Sequence, residues 1–366
     1  MNFIDLSKQN KKIKKNLVKS FEKLMDSSNY IMGESINTVQ EKLKKINKSK
    51  FCILVSSGTD ALLISLMALG IKRGDEVITT PFTWISTVEV IVMLGAKPVF
   101  VDVDYTNCNI NLEQIPKKIN KKTKAIIGVS LFGQMYDVIK MKKISKKFNI
   151  PVIEDGAQSF GSRYKNIFSC NSSTIGCTSF FPTKPLGCYG DGGAIFTNNK
   201  NLANVCREIS LHGQKKKNNF TRLGINGRMD TLQSLVLDEK LKHFSKELKL
   251  RDKRASYYIK NLSQIDPRIS VLKISKYNFN AWAQFTVIIE KNLRKKLIDH
   301  LKKNKIPTGI YYPISLNKLN FLKSKQKMPV SEKLSKRVLS LPMHPYLSIT
   351  EQDYIIKKIK HFFEKN

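Results

Sequence analysis

Between residues 51 and 199 the chain alternates short apolar runs, rich in Val and Ile, with segments of helical periodicity. That rhythm leaves few folds open. Strand-like runs at 51–55, 76–80, 98–103, 125–130 and 151–154 are interleaved with helical stretches at 60–69, 84–94 and 138–147. Further strands are expected at 175–181 and 194–197, and helices at 201–211 and 229–249. Strands that are apolar along their whole length are buried on both faces, which calls for helices on each side of a mostly parallel sheet. Gly95 supplies a helix stop, since glycine tolerates the left-handed conformation found there. The fold class is therefore α/β. Beyond about residue 254 the rhythm changes to one strand-like run at 282–289 and helices at 293–304, 331–339 and 351–363. We expect a large domain over residues 1–250, N-terminal segment included, and a smaller α+β domain over 251–366; 366 residues are enough for two cores.

Composition matters mainly for what it excludes. The chain carries 64 Lys+Arg against 29 Asp+Glu, a formal net charge of +35, which alone suggests a polyanionic partner. The lysine-rich stretches, at 11–15, 117–122, 142–147, 215–217 and 302–305, are however spread along the whole chain. Nucleic-acid binders concentrate their charge in a patch or motif, so a solvated basic surface is the better reading. Six cysteines without a Cys-x-x-Cys pair, in a chain this long, read as free thiols of a reducing compartment. Residues 1–15 are polar and lysine-rich, and no run approaches the roughly 18 apolar residues of a membrane span, so a cytoplasmic protein is expected. The histidines show no metal-ligand spacing, and no metal site is expected; His212, beside a Gly-Gln turn, is the one to check near a functional site.

Three segments carry chemistry. Ser56-Ser57-Gly58-Thr59-Asp60 joins a strand to a helix, and a small-residue turn there lets backbone N–H groups approach a phosphate at the helix N-terminus. By itself such a turn reads better as an ordinary strand–helix turn with a Ser/Thr cap. Glu154-Asp155-Gly156-Ala157-Gln158 ends a buried strand, where ligands of open α/β sheets collect. A carboxylate there would keep a pyridine nitrogen protonated and make the ring an electron sink; alone, it is also a solvated strand end or a cap. The most informative segment runs from Thr178 through Ser179-Phe180-Phe181-Pro182-Thr183-Lys184-Pro185-Leu186-Gly187 to Gly190-Asp191-Gly192-Gly193. Here one lysine sits among aromatics, hydroxyls and glycines, unlike the exposed lysines elsewhere. An amine near apolar groups loses proton affinity and becomes nucleophilic enough to form a Schiff base.

With these segments in this order, the sequence resembles the sugar aminotransferases of the DegT/DnrJ/EryC1/StrS family, which share the type I fold of pyridoxal phosphate enzymes. The resemblance extends from Phe3-Ile4-Asp5-Leu6 to Met343-His344-Pro345-Tyr346. It implies that Lys184 carries pyridoxal 5'-phosphate and shuttles a proton, and that Asp155 pairs with the ring nitrogen. It implies further that Gly58, Thr59 and Ser179 hold the phosphate, that Trp84 stacks on the ring, and that Gln158 lies by its 3-hydroxyl. Trp84 alone would fit core packing as well. Asn226 would reach the phosphate from a second subunit, which makes a homodimer part of the site. Segments 178–198, 312–317 and 340–347 look like the branch acting on UDP-2-acetamido-2-deoxy-3-keto-glucuronic acid, with glutamate as amino donor, in bacterial surface polysaccharide synthesis such as that of O-antigen. Arg228, Tyr311 and Tyr312 are then substrate contacts from the partner subunit, an Arg fork suiting a sugar carboxylate. The chain departs from that branch at Tyr311, where His is common, and at Ser315, where Pro is. Another 3-keto or a 4-keto-6-deoxy nucleotide sugar is the alternative substrate. Dehydratases of the same fold replace the lysine by His, and position 184 is Lys. A basic nucleic-acid-binding or regulatory protein on a retired enzyme fold is the alternative of a different class, and the intact Lys184, Asp155 and Gln158 argue against it.

Overall fold

Helices α1 (Ser7–Ser27) and α2 (Glu34–Asn47) open the computed structural model, which describes residues 1–366. Both lie against a later long helix, burying Ile13, Leu17 and Leu24 from one and Ile36, Val39 and Leu43 from the other. The alternating region follows as β1 (Phe51–Val55), α3 (Gly58–Ala68), β2 (Glu76–Thr79), α4 (Ser86–Met93), β3 (Lys97–Phe100), β4 (Thr123–Val129), α5 (Val138–Phe148) and β5 (Val152–Asp155). A small hairpin of β6 (Arg163–Tyr164) and β7 (Ile167–Phe168) precedes β8 (Ile175–Ser179) and β9 (Gly193–Thr197). After α6 (Lys200–Ser210) come a second hairpin, β10 (Gln214–Lys216) and β11 (Asn219–Phe220), and the long helix α7 (Thr231–Leu262).

Seven strands form one sheet in the order β1-β9-β8-β5-β4-β2-β3. Only β9 runs against the others, so β1, β2, β4, β5 and β8 all point their carboxyl ends to the same edge. Helix crossovers make this arrangement, and they cover both faces of the sheet. One core gathers Ile53, Val77, Ile127 and Ile153 under α3 and α6; another packs Leu54, Phe180 and Phe196 under α1, α2 and α7. All six cysteines are free and buried within this packing, and burial pushes their thiols up.

The C-terminal part departs from the sequence reading in three ways. Residue 250 falls inside α7, which runs unbroken to Leu262 and contributes Ala255, Tyr258 and Leu262 to the smaller core. The lone strand has partners: β12 (Ile269–Val271) and β15 (Val338–Leu341) flank β14 (Phe285–Ile289) in an antiparallel sheet, while β13 (Asn278–Phe279) pairs with β6. The expected helix at 331–339 is the short α9 (Pro329–Ser335), because Val338 to Leu341 pair with β14 instead, and strand pairing outweighs local helical preference. α8 (Lys291–Lys303) and α10 (Ile349–Lys365) complete the layer, the latter opened by a reciprocal Ser348–Glu351 capping box.

His344, just after β15, is almost fully buried, and its Nδ1 has no hydrogen-bond partner. Burial, reinforced by the charge of Arg251, pushes its pKa down from 6.5 to about 4. Below pH 6.5 the unfolded chain takes up a proton there that the folded chain declines, so stability falls as the pH drops towards 4. A shift of that size corresponds to at most about 3 kcal/mol, which residual screening reduces to about 2 kcal/mol. In urea titrations at pH 7 and pH 4, His344→Gln is expected to lose about 2 kcal/mol less stability than the parent. Equal losses would contradict this.

Candidate active site

Two glycines decide how closely the carboxyl edge of the sheet can close. A Cβ on Gly58 would stand 2.6 Å from the Cβ of Ser179, and one on Gly193 would stand 2.4 Å from the carbonyl oxygen of Ser57. Without those atoms, the β1–α3 turn settles against the end of β8 and the start of β9. Ser57 caps α3 by accepting from the Asp60 N–H at 3.0 Å, which leaves the Gly58 and Thr59 N–H groups in the open first turn. The Thr59 hydroxyl shares a 2.8 Å hydrogen bond with Ser86 at the start of α4. Two helix N-termini and the Ser179 side chain thus converge on one spot, a cradle for a small anion.

The cradle forms one end of a cavity of about 460 Å³. Gly58, Thr59, Trp84, Asp155, Gln158, Ser179 and Lys184 all line it, and so do Tyr311 and Tyr312. Asp155, the last residue of β5, is buried; it accepts from the Thr87 hydroxyl at 2.8 Å and from the Ala157 N–H at 3.2 Å. Burial raises its pKa, and Thr87, the Ala157 N–H and the charge of Lys184 restrain the rise. Its neighbour Glu154 faces away into the fold, where Ser130, Ser169, Ser172 and the Cys170 N–H all donate to it.

Lys184 rides on a loop tied into a lasso. The Phe180 N–H donates to Gly192 O at 2.7 Å, the Cys188 N–H to Phe180 O at 2.8 Å, and the Lys184 N–H to Phe181 O at 2.9 Å. Phe180 anchors the lasso in the core, while Phe181 faces the cavity. Burial lowers the proton affinity of the Lys184 amine, and Asp155 opposes that shift. A larger neutral fraction makes the amine a better nucleophile.

Gln158 is pinned at both ends of its amide. Its Oε1 accepts from the Phe132 N–H at 2.7 Å, and its Nε2 donates to the Tyr312 hydroxyl at 2.5 Å. Phe132 and Tyr312 both have positive φ, 55° and 68°, an uncommon conformation for bulky residues that marks local strain. The small domain reaches this point because Leu316 N–H donates to Pro81 O at 2.9 Å and Tyr312 packs on Phe82 and Phe132.

The remaining expected residues divide between the cavity wall and positions outside it. Tyr311 and Tyr312 line the cavity of their own chain rather than arriving from a partner, since the small domain folds back over the sheet. Trp84 is 65% exposed beside the cavity, which removes core packing as its role. Asn226 and Arg228 lie outside this cavity, on a segment whose Gly227 carbonyl accepts from the Ser56 N–H at 2.9 Å; Arg228 pairs its backbone with Val55, and its Nε has no hydrogen-bond partner. His212 is exposed and likewise outside it. Sequence reasoning missed Thr83, Thr87 and Gln284. The threonines bracket Trp84 at i, i+4 spacing, a signal visible only once the helix start is known; Gln284 comes from the small domain and had none.

The residues present fit pyridoxal phosphate: an anion cradle that a Cβ at 58 would fill, a buried carboxylate for a ring cation, and an amine of lowered proton affinity share one cavity. Comparison with known proteins agrees. The DegT/DnrJ/EryC1/StrS aminotransferase family profile matches residues 11–360. The chain is 44% identical over 346 residues, 94% of its length and 95% of the relative's, to the UDP-2-acetamido-2-deoxy-3-oxo-D-glucuronate aminotransferase of Pseudomonas aeruginosa. A family aminotransferase from Brucella abortus superposes with a TM-score of 0.95 at 38% identity, covering 99% of each chain. NtdA from Bacillus subtilis, solved with its cofactor PMP bound, superposes at 0.90 with 27% identity, covering 96% of this chain and 82% of NtdA. The fold is that of type I pyridoxal phosphate enzymes, pyridoxal phosphate is the cofactor, and the activity is transamination of nucleotide sugars. The chain belongs to the DegT/DnrJ/EryC1/StrS aminotransferase family.

Proposed function

We propose that this enzyme moves an amino group from glutamate to UDP-2-acetamido-2-deoxy-3-keto-glucuronate, making a 3-amino sugar for a bacterial surface polysaccharide in the cytoplasm. The observation that carries the reading is the 44% identity, spread over nearly the whole of both chains, to the Pseudomonas aminotransferase of that substrate. The cavity, about 460 Å³ and rich in hydroxyl and amide groups, suits a polar sugar.

When bound, pyridoxal phosphate supplies a carbonyl that takes the donor's nitrogen and a ring that draws electrons from the adjoining carbon. The Gly58 and Thr59 N–H groups and the Ser179 hydroxyl hold the phosphate, and Trp84 covers the ring. Gln158, its amide already oriented by Phe132, lies by the 3-hydroxyl. Asp155 holds the ring nitrogen's proton by opposite charge. Lys184 Nζ, its proton affinity lowered by burial, takes the proton from the α-carbon of glutamate and returns one to the sugar carbon that gains nitrogen. Tyr311 and Tyr312, reaching across from the small domain, contact the sugar. Asn226 and Arg228, which lie outside this chain's own cavity, serve the cavity of a second copy in a homodimer, Asn226 at the phosphate and Arg228 at the sugar carboxylate.

A panel of 3-keto and 4-keto nucleotide sugars, incubated with glutamate and read by mass, tests the substrate. The 3-keto-glucuronate is expected to gain one nitrogen fastest. Preferential amination of a 4-keto-6-deoxy sugar would overturn the assignment and favour the alternative substrate. Lys184→Ala is expected to reduce kcat by about a thousandfold or more, with cofactor held only noncovalently. Substantial turnover by that variant, followed by stopped assays of 2-oxoglutarate release, would contradict the role given to the amine.

A further inference from the structure

Thr87, the second residue of α4, is fully buried behind Asp155 and donates its hydroxyl hydrogen to Asp155 Oδ2 at 2.8 Å. An ionised carboxylate can only accept, so the direction of that bond is fixed. Thr87 has one hydroxyl hydrogen, and it is spent there. The 3.2 Å contact between the Thr83 and Thr87 hydroxyls must then run the other way, with Thr83 donating to Thr87. Thr83 lines the cavity. The result is a directed relay from cavity wall to acid: Thr83 to Thr87 to Asp155.

We infer that Thr87 is a positioning residue that keeps Asp155 ionised and aimed, so that the acid can hold a cofactor ring cation. The inference rests on Asp155 pairing with the ring nitrogen. A carboxylate buried as deeply as Asp155 is pushed towards its neutral form, in which it would no longer attract a cation. Hydrogen bonds to the charged form oppose that push, and a charge-assisted hydroxyl donor is among the stronger of them. The Ala157 N–H, at 3.2 Å, is the other donor to this carboxylate. Groups facing Asp155 from other elements are Lys184 on the lasso, Tyr312 from the small domain, Cys177 on β8, and Tyr136 and Cys170 on the flanking loops, with Glu154 adjacent on β5. Burial keeps the phenols and thiols neutral in the acid range. Burial raises Glu154 as well, its four donors opposing, but Thr87 does not touch Glu154, so an acid limb that moves with the Thr87 variants belongs to Asp155.

The test compares the holoenzyme with Thr87→Val, Thr87→Ala, Thr87→Ser and Asp155→Asn. Two readings are taken from pH 5 to pH 8: the pyridoxal phosphate dissociation constant and the acid limb of kcat. Losing the hydroxyl is expected to weaken cofactor binding about tenfold at pH 7 and to move the acid limb up by about one pH unit. Thr87→Ser keeps the donor and is expected to restore both to within about threefold of the parent. Thr87→Ala shares the prediction of Thr87→Val without its shape, so poor folding of one leaves the other to decide. If the Val and Ala variants leave both readings unmoved while Asp155→Asn changes them, the Thr87 inference fails alone. If Asp155→Asn also leaves them unmoved, the pairing of Asp155 with the ring nitrogen fails with it. A loss of activity that the Ser variant does not rescue, with an unshifted acid limb, would overturn the inference too.

Discussion

The site exists because two stretches of backbone touch where a side chain would hold them apart. Adding one carbon to Gly193 would drive it to within 2.4 Å of the Ser57 carbonyl, and adding one to Gly58 would meet Ser179 at 2.6 Å. Either would lever the β1–α3 turn away from β8 and β9. The anion cradle would open, and the lasso that begins at Ser179 and ends at Gly193 would lose its footing. Lys184 has no other fixed reference, for its position is set by that lasso's own hydrogen bonds to Phe180, Phe181 and Gly192. Glycine at these points is a packing requirement, since neither residue has a positive φ.

Around that contact, each polar group is assigned its direction by a neighbour. The Phe132 N–H makes Gln158 Oε1 the acceptor, so Nε2 must be the donor to Tyr312. The charge on Asp155 makes Thr87 a donor and Thr83 a donor in turn. Buried networks whose members are satisfied in only one sense hold geometry tightly, which a site that must place an amine beside a ring requires. The same network binds the domains: Tyr312 belongs to the small domain and Gln158 to the large one, and their bond crosses the cleft. Movement between the domains would break it.

Much of this was legible in the residues, and the legible part is that governed by local periodicity. Strands β1, β2, β4 and β5 announced themselves as short aliphatic-rich runs, β3, β8 and β9 more faintly; Gly58-Thr59 and Asp155 sit at the carboxyl ends of such runs, and Lys184 stands on the loop that follows β8. What escaped depended on long-range pairing. Val338 to Leu341 look no less helical than the residues before them until β14 is there to pair with. α1 and α2 bury only a few widely spaced apolar residues among lysines, so their stripe is thin. Tyr311 and Tyr312 were expected from a second subunit because nothing local says that the C-terminal part folds back over its own sheet. Thr87 was missed for a related reason: its partner is 68 residues away.

The central claim is that Lys184, alone among the chain's many lysines, is the amine that takes the cofactor's carbonyl. Borohydride reduction of the holoenzyme followed by peptide mapping measures this directly. One pyridoxyl group per chain is expected, on the peptide containing Lys184. Label spread over surface lysines, or absent from that peptide, would contradict it.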